Sequence, residues 1–411
     1  MTAWQKEGKI DKALKIFLFF VSPFVAALYA LRNIKTKSSF VVFFLFAVFF
    51  GMSFTVPSGK TDDFRFDGAS YRVKFDRYIH YFSDLDYLTS LKNYVIFNEG
   101  SKDIYFFTIT HLVSYFTSNY HVLFMVASII FAFFALKSLK ILVLEDSFQN
   151  TLGGLILLYI FMYNDIFNIN GLRFWTAAWI GVYCIFKIFK DNDRKYFLLA
   201  ILTPLIHGSY LVFLIVILGA YFSKKTFKPW VALFLISFFV SNFSVQLVQG
   251  IVDRLPPFLA NMAEAYASEE YIEERANKGS GFIWVTESFK FLIRVYMNLM
   301  VWLFIKNVKK ISSNPKTKQL FSFLLIWMTF VNFTMPILSL GSRFMALSFP
   351  IIAYIWLVNF YGVKYKRVLY AMPFVFVMAF YKNILVYNQV LDSTFFISSP
   401  FYLIYEYLLS A

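Results

Sequence analysis

Apolar runs about as long as a bilayer is thick recur throughout this chain, and nothing constrains its fold more. Residues 14–31, 40–56, 121–144, 166–189, 229–248, 284–304, 320–340 and 344–360 are such runs. Each reaches the roughly 17–25 residues that a spanning helix needs. In hydrocarbon the backbone must satisfy its own polar groups, which leaves helices and closed barrels. A barrel needs apolar and polar residues to alternate, whereas the 55 Phe and 27 Tyr here lie in runs. The expectation is an all-α polytopic membrane protein of about 12 transmembrane helices, forming one integral domain over residues 1–411. Its net charge of +15 does not point to nucleic acid, because the basic residues lie in short loops. These loops begin at Arg32, Lys137, Lys187, Lys224, Lys306 and Lys364, as expected of cytoplasmic loops above an anionic leaflet. The one cysteine, Cys184, falls within a run and gives neither a disulfide framework nor a metal cluster. Residues 1–11 are polar, and the run after them is of spanning length with no small-residue cleavage site, so no cleavable signal is expected.

Two polar segments interrupt the pattern, and both are expected on the face opposite the basic loops. The first, 57–118, carries charge and tyrosine and includes a stretch at 104–116. That stretch would be only about 20 Å long as a helix, so it reads as re-entrant or interfacial. The second, 249–283, holds Pro256-Pro257 and then an acidic stretch, 260–275, expected as a surface helix. Residues 195–222 have positive charge at both ends and must turn midway, at Thr203-Pro204-Leu-Ile-His207-Gly208-Ser209. This places His207 at a helix break or on the outer side. One conflict remains. If Arg32, Lys35 and Lys37 are inside and 14–31 is a span, then Lys6, Lys9, Lys12 and Lys15 are outside.

Arg173 is expected about two turns inside the run that starts at residue 166. An arginine at depth costs roughly 2.5–3.5 kcal/mol on insertion scales and usually faces a cavity or a partner. It either snorkels, pairs with a carboxylate, or binds phosphate or pyrophosphate, for which a permanently charged planar guanidinium is suited. Asn170 just upstream adds a polar group. Arg343, beside Gly341 and Ser342, sits at the outer end of its run; it is either an interfacial arginine or part of the same anion clamp. Glu287, Lys290 and Arg294 share one helix face, as an ion-paired stripe or as further cations lining the cavity. His207 is either a packing residue or a base able to take a proton from a sugar hydroxyl near neutral pH. Asp76 and His80, at i and i+4, offer an alternative base. Asp62-Asp63 and Asp84-x-Asp86 are oxygen-donor pairs that suit Mg²⁺ or Mn²⁺ only weakly. No nucleotide-binding or metalloprotease motif is present.

Four stretches resemble the EpsG-like branch of Wzy-type O-antigen and capsule polymerases. They are Arg65-Phe-Asp67 with Asp76-Arg-Tyr78-Ile-His80-Tyr81-Phe82, Asn170-Gly-Leu-Arg173-Phe-Trp-Thr-Ala177, His207-Gly-Ser209, and Ser342-Arg343-Phe344. The usual Gly-Thr-Asp-type run of the outer loop is not plainly present. The resemblance implies a GT-C-like membrane glycosyltransferase in the bacterial inner membrane, with its active site facing the periplasm. Such an enzyme joins undecaprenyl-pyrophosphate-linked oligosaccharide repeat units as donor and acceptor, using no cofactor and no metal, in contact with membrane lipid and with a chain-length regulator as partner. On this reading Arg173 and Arg343 hold pyrophosphate and His207, or a carboxylate of the first large loop, is the base. Arg294, Lys290, Asn170, Arg65, Asp76, Tyr78 and His80 contact substrate. The competing readings are a flippase for lipid-linked oligosaccharide, an O-antigen ligase, and a metal-dependent transferase built on Asp62 and Asp63.

Overall fold

The computed structural model describes residues 4–57, 67–96, 103–223, 227–239, 250, 283–337, 340–361 and 364–410, and every regular element among them is helical. Arg65, Asp62, Asp63 and the surface helix expected over 260–275 lie outside the described residues. Five stretches are long and apolar enough to cross a membrane: Tyr120–Val143, Leu152–Lys190, Glu287–Lys306, Leu340–Phe360 and Lys366–Val390. Several of the other apolar runs are broken into shorter helices, so the full expected number of long spans is not seen among the described residues.

The first run shows how this happens. Instead of one span over 14–31 there are two helices, α1 (Lys9–Val21) and α2 (Pro23–Ala30), separated by Ser22 in an extended conformation. Pro23 has no N–H to continue α1 and suits the first turn of α2, whose start the Ser22 hydroxyl caps. The two helices fold back on each other. Ala26, Ala27 and Ala30 are buried and allow close approach, and Tyr29 Oη donates to Asp11 Oδ1 at 2.8 Å. At about 20 and 12 Å, neither helix reaches across a bilayer core of about 30 Å.

This hairpin resolves the conflict over the N-terminal lysines. Lys15 is fully buried, bound to Glu7 at 2.5 Å, Asp11 at 3.0 Å and the Thr36 hydroxyl at 3.0 Å. The Gln5 N–H donates to Lys35 O, and Lys140 lies 5.0 Å over the Trp4 ring. The N-terminal segment therefore shares one end of the bundle with the Arg32–Lys37 loop. Other basic loops join it there. Lys316 pairs with Glu145, Lys35 reaches Glu145 O, Asn150 bonds Arg32 O, and Asn307 bonds Tyr365 Oη.

From that loop α3 (Lys37–Met52) runs away from the basic end, and the chain continues into α4 (Asp67–Tyr81), α5 (Asp84–Val95) and α6 (Tyr105–Ser114). α7 (Tyr120–Val143) returns over 24 residues, about 36 Å. Its Tyr120 ring is stacked 4.0 Å under the Arg72 guanidinium of α4, and its far end leads to Glu145. The α4–α6 layer and the basic loops thus cap opposite ends of the bundle. After α8 (Leu152–Phe161) and α9 (Leu172–Ile185), the chain breaks twice, as α10 (Tyr196–Ile201), α11 (Thr203–Ile206) and α12 (Tyr210–Phe222), before α13 (Lys228–Ile236). Between the ends the core is aromatic: Trp179, Phe186, Phe213, Trp327 and Tyr354 are all buried. A reciprocal amide pair, Asn298–Asn332, joins helices Ile283–Lys306 and Pro315–Phe333 at 3.0 and 3.3 Å. Paired amides satisfy each other where no water can.

The hairpin predicts a labelling pattern. With the buried Cys184 left in place, cysteines from Lys9→Cys and Lys37→Cys should react with an impermeant maleimide from the same side of the membrane. A cysteine from Asp84→Cys should react only from the other side. Labelling of the first two from opposite sides would restore the single span.

Candidate functional site

The site begins where α9 begins. Asp165 caps a 3-10 turn, Ile166–Gly171, by accepting the Phe167 N–H at 3.1 Å, and α9 starts at Leu172. Arg173 is therefore in the first turn of α9, not two turns inside a helix, because the apolar run opens in a different, tighter helix. The turn is clamped to α9: Asn164 Nδ2 donates to Trp175 O, and the Trp179 indole N–H donates to Asn164 O at 3.0 Å.

Arg173 is held from the α4–α6 layer. Its Nη1 bonds Asp103 Oδ2 at 2.6 Å and its Nε donates to Tyr71 Oη at 3.0 Å. Asp103 is almost fully buried, whereas a quarter of the Arg173 side chain stays exposed. The guanidinium is thus fixed from behind and keeps an open side. Burial pushes the Tyr71 phenol up, against the pull of Arg173, so it remains a neutral acceptor for Arg173 at neutral pH. Asn170 Oδ1 accepts the Gly68 N–H at 2.8 Å, pinning the start of α4 to the same turn. A Cβ at Gly68 would lie 2.8 Å from that oxygen, so a larger residue would push the Asn170 amide back.

The other two residues expected at the centre arrive from later helices. Pro204 and the following break leave His207 extended (φ −155°, ψ 118°) and nearly buried. Its Nδ1 meets Ser209 Oγ at 2.8 Å. Arg343 lies in the short helix Leu340–Met345. Phe174 stands between them. Its ring meets the His207 ring edge-on at 5.3 Å, lies 5.7 Å from the Arg343 guanidinium carbon, and packs on Phe344 and Tyr210.

Arg173, Arg343 and His207 line one cavity of about 190 Å³. One wall is a stripe of α4: Asp67, Ser70, Tyr71 and Lys74. Gly171 and Trp175 line the cavity beside Asp67. Among the described residues of the lining, three cationic side chains, Lys74, Arg173 and Arg343, accompany one carboxylate, Asp67.

The remaining expected site residues lie elsewhere. Lys290 is exposed and paired with Glu287 at 2.5 Å, which is the ion-paired stripe, and neither it nor half-buried Arg294 lines the cavity. Tyr78 is buried with its hydroxyl 2.7 Å from His111 Nδ1; burial, reinforced by Asp84, pushes its pKa up to about 12. His80 is exposed beside Tyr81, and half-buried Asp76 does not line the cavity. Among the described residues no three His, Cys, Asp or Glu side chains gather as a metal-ligand set.

Tyr71, Lys74 and Trp175, which line the cavity, and Asp103, which holds Arg173, are residues that the sequence reading did not assign. A signal for the stripe was present. Asp67, Ser70, Tyr71 and Lys74 fall at i, i+3, i+4 and i+7, one face of a helix. Asp103 had a weaker one, as a lone acid directly before an apolar run.

The EpsG family model matches residues 64–404, a span that contains every described residue lining the cavity. No curated protein and no solved structure matches the chain.

The ion pair makes a prediction about stability. Removing one member of a buried pair strands the other, at a cost of about 3 kcal/mol. Asp103→Ala should lower the unfolding free energy in detergent by that much, read as a fall in melting temperature, and Asp103→Leu with Arg173→Met should regain most of it while activity stays lost. Equal melting of Asp103→Ala and wild type would show that Asp103 does not hold Arg173.

Proposed function

The chain belongs to the EpsG family, and we propose that it is a membrane-embedded polysaccharide polymerase. On this reading it joins undecaprenyl-pyrophosphate-linked oligosaccharide repeat units, with one lipid-linked chain as donor and one repeat unit as acceptor. The observation that carries the proposal is the convergence of Arg173 and Arg343, from separate helices, with His207 on one cavity at the end remote from the basic loops. By the positive-inside rule the basic end is cytoplasmic. The cavity then faces the outer leaflet of the bacterial inner membrane, and the helical bundle is read as GT-C-like.

Glycosyl transfer breaks the bond between the anomeric carbon and a pyrophosphate oxygen. The negative charge left on that oxygen needs donors already in place, since ordering them during the reaction would cost energy. Arg173 meets this requirement: Tyr71 and Asp103 fix its plane, and its guanidinium cannot lose its proton. Arg343 and Lys74 add charge from two other elements. A base must also remove the acceptor proton; among the described cavity residues, His207 and Asp67 have suitable chemistry.

Flipping requires a polar route through the bundle. The aromatic core between the two ends favours a reaction at one end. Ligation shares the donor and differs in acceptor. A metal-dependent transfer would draw on Asp62 and Asp63. Chain length is assigned to a separate regulator protein.

The test is incubation of purified protein with its lipid-linked repeat unit, with and without EDTA, read as a ladder on a gel. The expected result is a ladder that survives EDTA. Arg343→Ala should slow its formation by about 10²–10³-fold, the cost of losing one preorganised charge donor, and Arg173→Lys, which cannot make the same two-sided contact, should also fall. No ladder from folded wild-type protein, or full activity in Arg173→Lys, would contradict the proposal.

A further inference from the structure

The geometry points to Asp67 as the group that takes the proton from the attacking hydroxyl. Trp175 supports the acceptor sugar beside it, and His207 is a fixed hydrogen-bond donor. This rests on the polymerase reading above and decides between the two candidate bases it leaves.

The argument starts from which His207 nitrogen carries a proton. The Ser209 amide N–H points at Nδ1, 3.4 Å away, in addition to the Ser209 hydroxyl at 2.8 Å. An amide N–H can only donate, so Nδ1 carries the lone pair, and the proton of the neutral ring sits on Nε2. A ring in this tautomer has no second lone pair for an acceptor's proton. Moving the proton to Nδ1 would set two N–H groups against each other. His207 is thereby a hydrogen-bond donor at Nε2.

Among the other cavity residues, the arginines cannot act as bases, and the Tyr71 hydroxyl already accepts from Arg173. Among the described residues of the lining, Asp67 supplies the one carboxylate. It is the first residue of α4, exposed, and its position is set one residue on, where Gly68 N–H meets Asn170 Oδ1. Gly171 separates it from the indole of Trp175. A Cβ there would lie 2.9 Å from Trp175 Cδ1 and 3.6 Å from Asp67 Oδ2. The bare α-carbon thus lets an indole edge and a carboxylate border the same void. A sugar presents an apolar C–H face and polar hydroxyls; an aromatic ring suits the first and a carboxylate the second.

In the step itself, Asp67 accepts the hydroxyl proton while that oxygen forms its bond to the donor's anomeric carbon. The bond from that carbon to pyrophosphate breaks, and its electron pair stays on the pyrophosphate oxygen against Arg173 and Arg343. The proton then passes from Asp67 to water.

The experiment measures initial polymerisation rates against pH, with melting temperature recorded for each variant. Asp67→Asn should lose about 10²–10⁴-fold, the usual value of a general base, and lose the acid limb of the pH profile. Added formate or azide should restore part of the rate of Asp67→Ala, which a merely structural role would not allow. His207→Gln, whose amide keeps an N–H near the Nε2 position, should stay within about tenfold of wild type and keep the acid limb. Asp67→Asn near the wild-type rate, or His207→Gln falling as far with the acid limb gone, would overturn the assignment. Polymerisation by wild-type protein in the same series separates this result from failure of the polymerase reading.

Discussion

The ion pair between Arg173 and Asp103 is the contact on which the rest of the site depends. It joins the first turn of α9 to the residues just before α6, two elements that neither sequence proximity nor a shared helix brings together. A charge at the mouth of a membrane bundle is tolerated only with a partner. Here the partner sits behind it, deeply buried, while the guanidinium keeps one side toward the cavity. The arrangement fixes a charge that cannot titrate and cannot rotate away. Those are the properties required of a group that meets a pyrophosphate as it departs.

Around that pair the bundle separates two tasks by distance. The basic loops, the N-terminal hairpin and buried Lys15 gather at one end, where charges neutralise one another: Lys15 with Glu7 and Asp11, Lys316 with Glu145, Lys187 with Asp191. At the other end cations outnumber carboxylates among the described residues of the cavity lining. The aromatic packing between isolates the two. Phe174 links the cavity to this core, since its ring touches His207, Phe344 and Tyr210 and its carbonyl accepts the Tyr210 hydroxyl at 3.1 Å. The three late-arriving elements are thereby registered against α9 by packing on one side chain.

Much of this was legible in the sequence for physical reasons. Membrane helices announce themselves by length and composition, and an arginine in an apolar run must have a reason to be there. Arg173, Arg343 and the Pro204-to-Ser209 break were therefore visible, and the structure brings these residues to one cavity. What was hidden depended on fold-back and on partners far along the chain. A run such as 14–31 has the right length for a span, and the break at Ser22-Pro23 with the Tyr29–Asp11 and Lys15–Thr36 contacts shows that it returns. Asp103 carries no periodicity that points to residue 173. The amphipathic stripe of α4 was readable from spacing, but its charged residues resemble any solvated face until the cavity is seen. Lys290 fits a helix-face argument equally well as a cavity residue or as the partner of Glu287; its exposed surroundings decide for the pair. The chemical state of His207 lay beyond sequence altogether, since it turns on the direction of one amide N–H two residues away.

The central claim is that a lipid pyrophosphate is held between Arg173 and Arg343. The most direct measurement is a structure of the protein in a lipid nanodisc with its lipid-linked repeat unit bound. The account predicts diphosphate density between those two guanidiniums, with the first sugar directed toward Asp67 and Trp175. Diphosphate density at the basic end, or in a channel through the aromatic core, would contradict it.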